Sequence, residues 1–144
     1  MATVRKSALV SYSAAQMFEL VDRIEDYPKF LPWCRSATEQ ERTEHIVEAT
    51  IVMAKGALQK AFTTRNRRYP HERIELQLVD GPFQQLEGVW IFDALDEQAC
   101  KVSLALDFEF SSRILKVAIG PIFHHIADTM VDSFCQQARQ LYGN

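Results

Sequence analysis

From Ser111 to Tyr142 the chain carries a run of apolar residues at helical spacing, and this run constrains the fold more than any other feature. Ile114, Ala118, Ile122, Ile126, Met130, Phe134 and Leu141 recur along it, with Leu115, Ile119, Thr129 and Ser133 beside them. His125, Asp128, Asp132, Gln136 and Arg139 fall on the opposite side. This is the 3.6-residue period of an amphipathic helix. A helix from Arg113 to Leu141 would be roughly 40 Å long at about 1.5 Å per residue. A stripe of that length needs a sheet to cover it, and nearly everything before it reads as strand. The expectation is a curved sheet wrapped around one long helix. Gly120-Pro121 interrupts the stripe: Pro121 has no N–H to donate to the Val117 carbonyl and its ring crowds that turn, so a kink or break is expected there.

The 144 residues, 47% of them hydrophobic, suffice for a full core in one domain spanning 1–144. A net charge of −3 gives no global field for nucleic acid, which argues against DNA as a partner. No run approaches the ~18 apolar residues of a membrane span. The apolar part of M-A-T-V-R-K-S-A-L-V is too short for a secretory signal. A cytoplasmic location is expected. Cys34, Cys100 and Cys135 form no C-x-x-C pair, and the adjacent His124 and His125 point about 100° apart on a helix, so no metal site is expected. The thiols read as small semi-buried groups in a reducing compartment.

Taken in order, Thr3 to Ser11 reads as a strand. Ser13-Ala14-Ala15-Gln16 has the form of a capping box, with Tyr12 and Met17 placed for a hydrophobic staple. Ala14, Met17, Phe18, Val21 and Ile24 then follow at the spacing of a short amphipathic helix. In D-Y-P-K-F-L-P-W-C, residues 26–34, Pro28 suits the first turn of a helix and Pro32 ends it. Tyr27, Phe30, Leu31 and Trp33 form an aromatic-rich cluster on an element too short to bury it alone.

From Arg35 to Phe110 the period becomes two. Val47, Ala49, Ile51 and Met53 alternate with polar residues; Phe62, Thr64 and Asn66 share a face opposite Arg65 and Arg67; Ile74, Leu76 and Leu78 alternate with Glu75 and Gln77. D-G-P-F at 80–83 is turn chemistry. Leu86 to Leu95 is apolar on both faces, with Trp90 and Phe92 on one of them. Val102, Leu104, Leu106, Phe108 and Phe110 oppose Lys101, Ser103, Ala105, Asp107 and Glu109. The order β-α-α-β(six)-α is an α+β arrangement with helices on one face of an antiparallel sheet.

Catalytic constellations are missing. There is no nucleophile elbow, zinc-protease motif, phosphate-cradling glycine loop or dinucleotide fingerprint. Asp107 and Glu109 sit on an outward strand face, where pairing with a cation such as Arg5 is expected. Cys34, beside Trp33, is the one thiol placed near a possible cavity mouth, and no base is positioned to activate it.

Several motifs occur in a recognisable order: D-Y-P-K-F-L-P-W-C (26–34), F-T-T-R-N (62–66), L-V-D-G-P-F-x-x-L-x-G-x-W-x-F (78–92), A-C through D-F-E-F-S (99–111) and M-V-x-x-F (130–134). Together they resemble the coenzyme Q-binding START-like family, also labelled oligoketide cyclase/lipid transport, along nearly the whole chain. A-L-V-x-Y-S-A-x-Q-M (8–17) and F-T-T-R-N look most like its bacterial branch of ribosome association inhibitors, which act on the large subunit. The resemblance implies a helix-grip fold, a seven-stranded antiparallel sheet holding a long C-terminal helix, with a lipid-sized cavity between. It implies no required cofactor and no catalysis. The strand Ile51 to Ala54 and the turn at Lys55-Gly56 match no family motif.

Two functions follow. In the first the chain binds a hydrophobic molecule without catalysis, ubiquinone or a related lipid, in support of respiratory electron transport and with transient contact at the inner membrane surface. Phe30, Leu31, Trp33, Met53, Phe62, Leu76, Leu78, Trp90, Phe108, Ile122, Ile126 and Met130 are its apolar candidates, and Thr64 and Asn66 its polar ones. An inward stripe fits a filled core as well as a hollow one. Pro28 and Pro32 around Phe30-Leu31, together with Gly120-Pro121, suggest a gate between the short helix and the long one. In the second function the chain docks on the large ribosomal subunit and blocks subunit joining. Arg65, Arg67, Arg68 and Arg73, near Lys60, cluster around one strand pair, and arginine suits phosphate contacts. The same residues fit solvated outward positions that discourage strand pairing.

Overall fold

A computed structural model describes residues 1–143. Strand β1 (Ala2–Val10) leads into helix α1 (Ala14–Asp22) and a 3-10 helix (Ile24–Lys29). Six strands follow: β2 (Cys34–Arg42), β3 (Ile46–Lys55), β4 (Leu58–Tyr69), β5 (Arg73–Asp80), β6 (Phe83–Asp96) and β7 (Ala99–Phe110). Helix α2 (Arg113–Tyr142) ends the chain. The strands form one antiparallel sheet in the order β1-β7-β6-β5-β4-β3-β2. Register shifts between Cys34 and Ser36, Glu39 and Glu41, Thr63 and Thr64, Phe83 and Gln85, and Ala94 and Asp96 are the devices that bend such a sheet.

Most local signals read from sequence have physical counterparts; Pro28 is an exception, lying in the last turn of the 3-10 helix Ile24–Lys29 and not in a first turn, and that helix ends before Pro32. Ser13 Oγ accepts from the Gln16 amide at 3.0 Å and Gln16 Oε1 from the Ser13 amide at 2.9 Å, closing the capping box. Tyr12 and Met17 are both buried beside it. At the β5–β6 turn Gly81 has a φ of +150°, and a Cβ there would lie 2.7 Å from Phe62 Cβ. The turn therefore admits no side chain.

α2 differs from expectation in two respects. It runs unbroken through Pro121. Pro121 lies on the exposed side, so the carbonyl it leaves without a partner faces water and the helix continues. The buried stripe is also not the one drawn from sequence. Ile119, Phe123, Ile126, Ala127, Val131, Phe134, Cys135 and Ala138 face the sheet, while Ile114 and Leu141 are 81% and 56% exposed and Ile122 and Met130 sit at the border. Successive steps of four residues each advance about 40° around a helix, so a stripe drawn from Ile114 to Met130 drifts by about 160°. The observed stripe mixes steps of three and four and stays in place. The polar residues His125, Asp128, Asp132, Gln136 and Arg139 are all exposed, as expected.

α2 packs on β1 and β7, and its C-terminal end is tied to the start of α1. Tyr12 donates its hydroxyl to the Gly143 carbonyl, and Tyr142 donates to the Gln16 carbonyl at 3.4 Å. Asp107 accepts from Thr3 Oγ1 at 2.7 Å and Glu109 meets the Met1 ammonium at 3.7 Å. The expected pairing with Arg5 is absent because the register sets Arg5 opposite Ala105 and Thr3 opposite Asp107.

Candidate functional site

Between the sheet and α2 lies an internal cavity of about 70 Å³. Val21, Ile24 and Tyr27 close one end; Ile51, Phe62, Ile74, Leu76, Leu86, Trp90, Leu104 and Leu106 form the sheet wall; Phe123, Ile126, Ala127 and Met130 form the helix wall. Two polar side chains, Thr64 and Asn66, interrupt this apolar lining. They point inward for the reason legible in the sequence: β4 alternates Lys60, Phe62, Thr64, Asn66 and Arg68 on its inner side.

The Thr64 hydroxyl donates to Asn66 Oδ1 at 2.9 Å. This bond orients the amide and leaves its nitrogen free. Asn66 is only 6% exposed, yet no sealed, unpartnered polar side-chain atom occurs among the described residues. Asn66 Nδ2 therefore opens onto the cavity, as a donor aimed into apolar space. Such a group suits a carbonyl or another neutral acceptor, because a buried donor left unpaired is costly. Tyr27 supplies no second donor: its hydroxyl is given to the Val21 carbonyl, and burial, with Asp22 nearby, pushes its ionisation well above the usual range.

Volume limits what this space holds now. A water needs roughly 10–15 Å³ measured this way, whereas drug-sized ligands occupy sites of about 300–1,000 Å³. The cavity admits a few waters and is much smaller than the lipid-sized hollow the family resemblance implies. Outside it runs an open groove of about 640 Å³ between Pro32-Trp33, the β3–β4 hairpin at Ala54–Gly56, and Pro121, Ile122, His125, Ile126, Thr129 and Ser133 of α2. Trp33 and Ile126 line both spaces. They form the partition between groove and cavity, and Pro32 and Pro121 both stand in the groove.

The candidates chosen from sequence distribute around this arrangement. Trp33, Phe62, Thr64, Asn66, Leu76, Trp90, Ile126 and Met130 line the cavity. Phe30 packs instead on Tyr27 and Phe134, and Phe108 on Phe123 and Phe110. Leu31 is sealed in the core, Leu78 is half-buried beyond the cavity wall, and Met53 lies against Ile119 and Ile122 at a separate crevice. Val21, Ile24, Tyr27, Ile51, Ile74, Leu86, Leu104, Leu106, Phe123 and Ala127 line it as well and are not among those candidates. The α1 spacing, the strand alternation and the corrected phase of α2 are the signals that point to most of them.

Cys34 is buried, its Sγ lies 3.5 Å from the Ser36 carbonyl, and burial pushes its thiol up to about 11. It is a neutral packing group that lines neither the cavity nor the groove, although its neighbour Trp33 lines both. The arginines do not form one patch. Arg68 donates through Nε and Nη2 to Asp22 at 2.7 Å each, and Arg42 Nη1 reaches the same carboxylate at 3.1 Å. Arg73 lies 3.7 Å over the Tyr69 ring and is paired with Glu72 and Glu75. Arg65 is paired with Glu48 and Glu41. Arg67 points outward into a shallow groove shared with Glu75, Glu87 and Asp107, and Lys60 sits at the far end of β4 beside Ile119 and Ile122.

An antiparallel seven-stranded grip on one long helix, enclosing an apolar space, defines a START-like binding fold. The chain belongs to the family described as polyketide cyclase / dehydrase and lipid transport, whose pattern matches residues 10–135. Within it the chain is 46% identical over 140 residues to the ribosome association toxin RatA of Pseudomonas aeruginosa, covering 97% of each. It is 25% identical to the mitochondrial coenzyme Q-binding protein COQ10 of Dictyostelium discoideum, covering 94% of this chain and 68% of that one. Its fold is similar to the crystal structure of the Zhui aromatase/cyclase, with a TM-score of 0.80, 14% identity, and coverage of 96% and 94%.

Proposed function

We propose that this protein is a ribosome association inhibitor, acting by docking on the large subunit and obstructing subunit joining, with no catalytic step. The observation that carries the reading is the likeness, over 97% of both chains, to a protein named for that role. The interior is consistent with it: a space of about 70 Å³ with no base and no activated thiol offers little to a polyketide substrate. The test is light scattering from purified large and small subunits mixed with increasing amounts of the protein. A dose-dependent loss of whole ribosomes is expected; unchanged association at excess protein overturns the reading.

A second reading, compatible with the first because it uses the interior, is binding of a hydrophobic molecule with a neutral acceptor at its head. Asn66 Nδ2, unpaired and opening onto the apolar cavity, is the observation that favours it. Binding requires the Trp33–Ile126 partition to move so that groove and cavity join. Organic extraction of the purified protein should yield a quinone or other carbonyl-bearing lipid, and Asn66→Leu should yield less. An extract with no such lipid counts against it.

A further inference from the structure

The first two turns of α2 are apolar on both sides. Ile119 and Phe123 face the core, whereas Ile114, Val117, Ala118 and Pro121 fall at i, i+3, i+4 and i+7 on the opposite side and are all exposed, Ile114 by 81% and Val117 by 73%. Although no unbroken apolar run in it reaches a membrane span, α2 passes for one by length and mean hydropathy, and only 28% of its most apolar stretch is buried. Packing against this chain's own sheet does not account for the outward stripe.

Cations surround it. Arg113 and Lys116 occupy the same two turns, Lys55 stands at the tip of the β3–β4 hairpin, and Lys60 lies beside Ile119 and Ile122. None of the four has a carboxylate within 4.0 Å among the described residues, a state they share with Arg5, Arg35, Arg67, Lys101 and Arg139, whereas Lys6, Arg42, Arg65, Arg68 and Arg73 are paired. Glu109, close to where β7 leads into α2, is already engaged by the Met1 ammonium. Unpaired cations flanking exposed aliphatic side chains, in a chain of net charge −3, select an anionic surface with an apolar layer beneath it. No exposed Phe, Trp or Tyr stands among them to stack on bases, which favours lipid over single-stranded RNA.

We propose that this end of the molecule is a peripheral docking face for an anionic lipid surface. Ile114 and Val117 enter the boundary between headgroups and acyl chains, and Arg113, Lys116, Lys55 and Lys60 meet the phosphates. Lys55 and Pro121 also line the groove that ends at Trp33 and Ile126, so the docked molecule presents that groove to the lipid. The inference rests on the surface alone and stands apart from the ribosome reading.

The test is co-sedimentation of the full chain with vesicles of phosphatidylcholine, with or without phosphatidylglycerol, at low and high salt. Binding to the phosphatidylglycerol vesicles, released by salt, is expected, with none to phosphatidylcholine alone. Ile114→Asp with Val117→Asp should weaken it by more than about tenfold, and Arg113→Gln or Lys116→Gln on the order of fivefold each. Both sets of side chains are exposed, so the melting temperature should hold. Leu9→Asp, equally exposed at the other end of the molecule, should bind like the parent. Binding indifferent to lipid charge, or to Ile114→Asp/Val117→Asp, overturns the proposal. So does a parent that ignores vesicles but self-associates, or binds protein-free ribosomal RNA, through this stripe. Subunit joining measured on the same variants keeps the two proposals separable.

Discussion

Asp22 sits where three parts of the chain meet. It terminates α1 and receives the forked guanidinium of Arg68 from β4 and a further bond from Arg42 on β2. The Arg68 side chain is 15% exposed, so removal of the carboxylate leaves a largely buried cation uncompensated. Asp22→Ala is expected to lower stability by on the order of 3 kcal/mol, read from the urea midpoint. Sequence marks Arg68 as one arginine among several, and nothing local shows that its partner lies 46 positions away. The thiols give a pH signature. Burial raises Cys34 and Cys100 from 9.0 to about 11, so folding favours their neutral forms. The stability this carries is intact below about pH 9 and is lost as pH rises through about 11. Melting temperatures should therefore change little on this account from neutral pH to about 9 and fall beyond it, and iodoacetamide should label the folded protein slowly at neutral pH.

At the scale of elements, α2 shows what a sequence encodes and what it does not. Its existence, length and polar side were legible, because charged residues sample only one side of the helix. The phase of its buried side was not, because the first two turns are apolar nearly all round and Ile114, Val117 and Ile119 compete for the same role. The sheet resolves the competition through Phe123, which meets Phe62, Phe83 and Phe108 edge-on. Phe123→Ala should cost about 3–5 kcal/mol in unfolding free energy. Ile114→Ala should cost less than about 0.5 kcal/mol. Equal losses from the two would contradict the observed phase. The strands were easier to read, since period two admits only two phases and Thr64 and Asn66 fell on the inner face with Phe62. The cavity volume was not legible, because alternation tells which way a side chain points and says nothing of the gaps left between side chains.

At the scale of the whole molecule, the fold separates an interior from two kinds of surface. The interior is narrow, and Asn66 offers it a free amide donor. The outer face of the sheet mixes paired charges such as Arg65 with unpaired ones such as Arg67, and the α2 entry end sets unpaired cations beside exposed aliphatics. The family resemblance led toward the interior, whereas the proposed docking role rests on the likeness, over 97% of both chains, to a ribosome association toxin. The most direct measurement is sedimentation of the purified protein through a sucrose gradient with isolated ribosomal subunits. The protein is expected to travel with the large subunit and to leave the small-subunit fraction empty. Protein that remains at the top of the gradient with both subunits present would contradict the account.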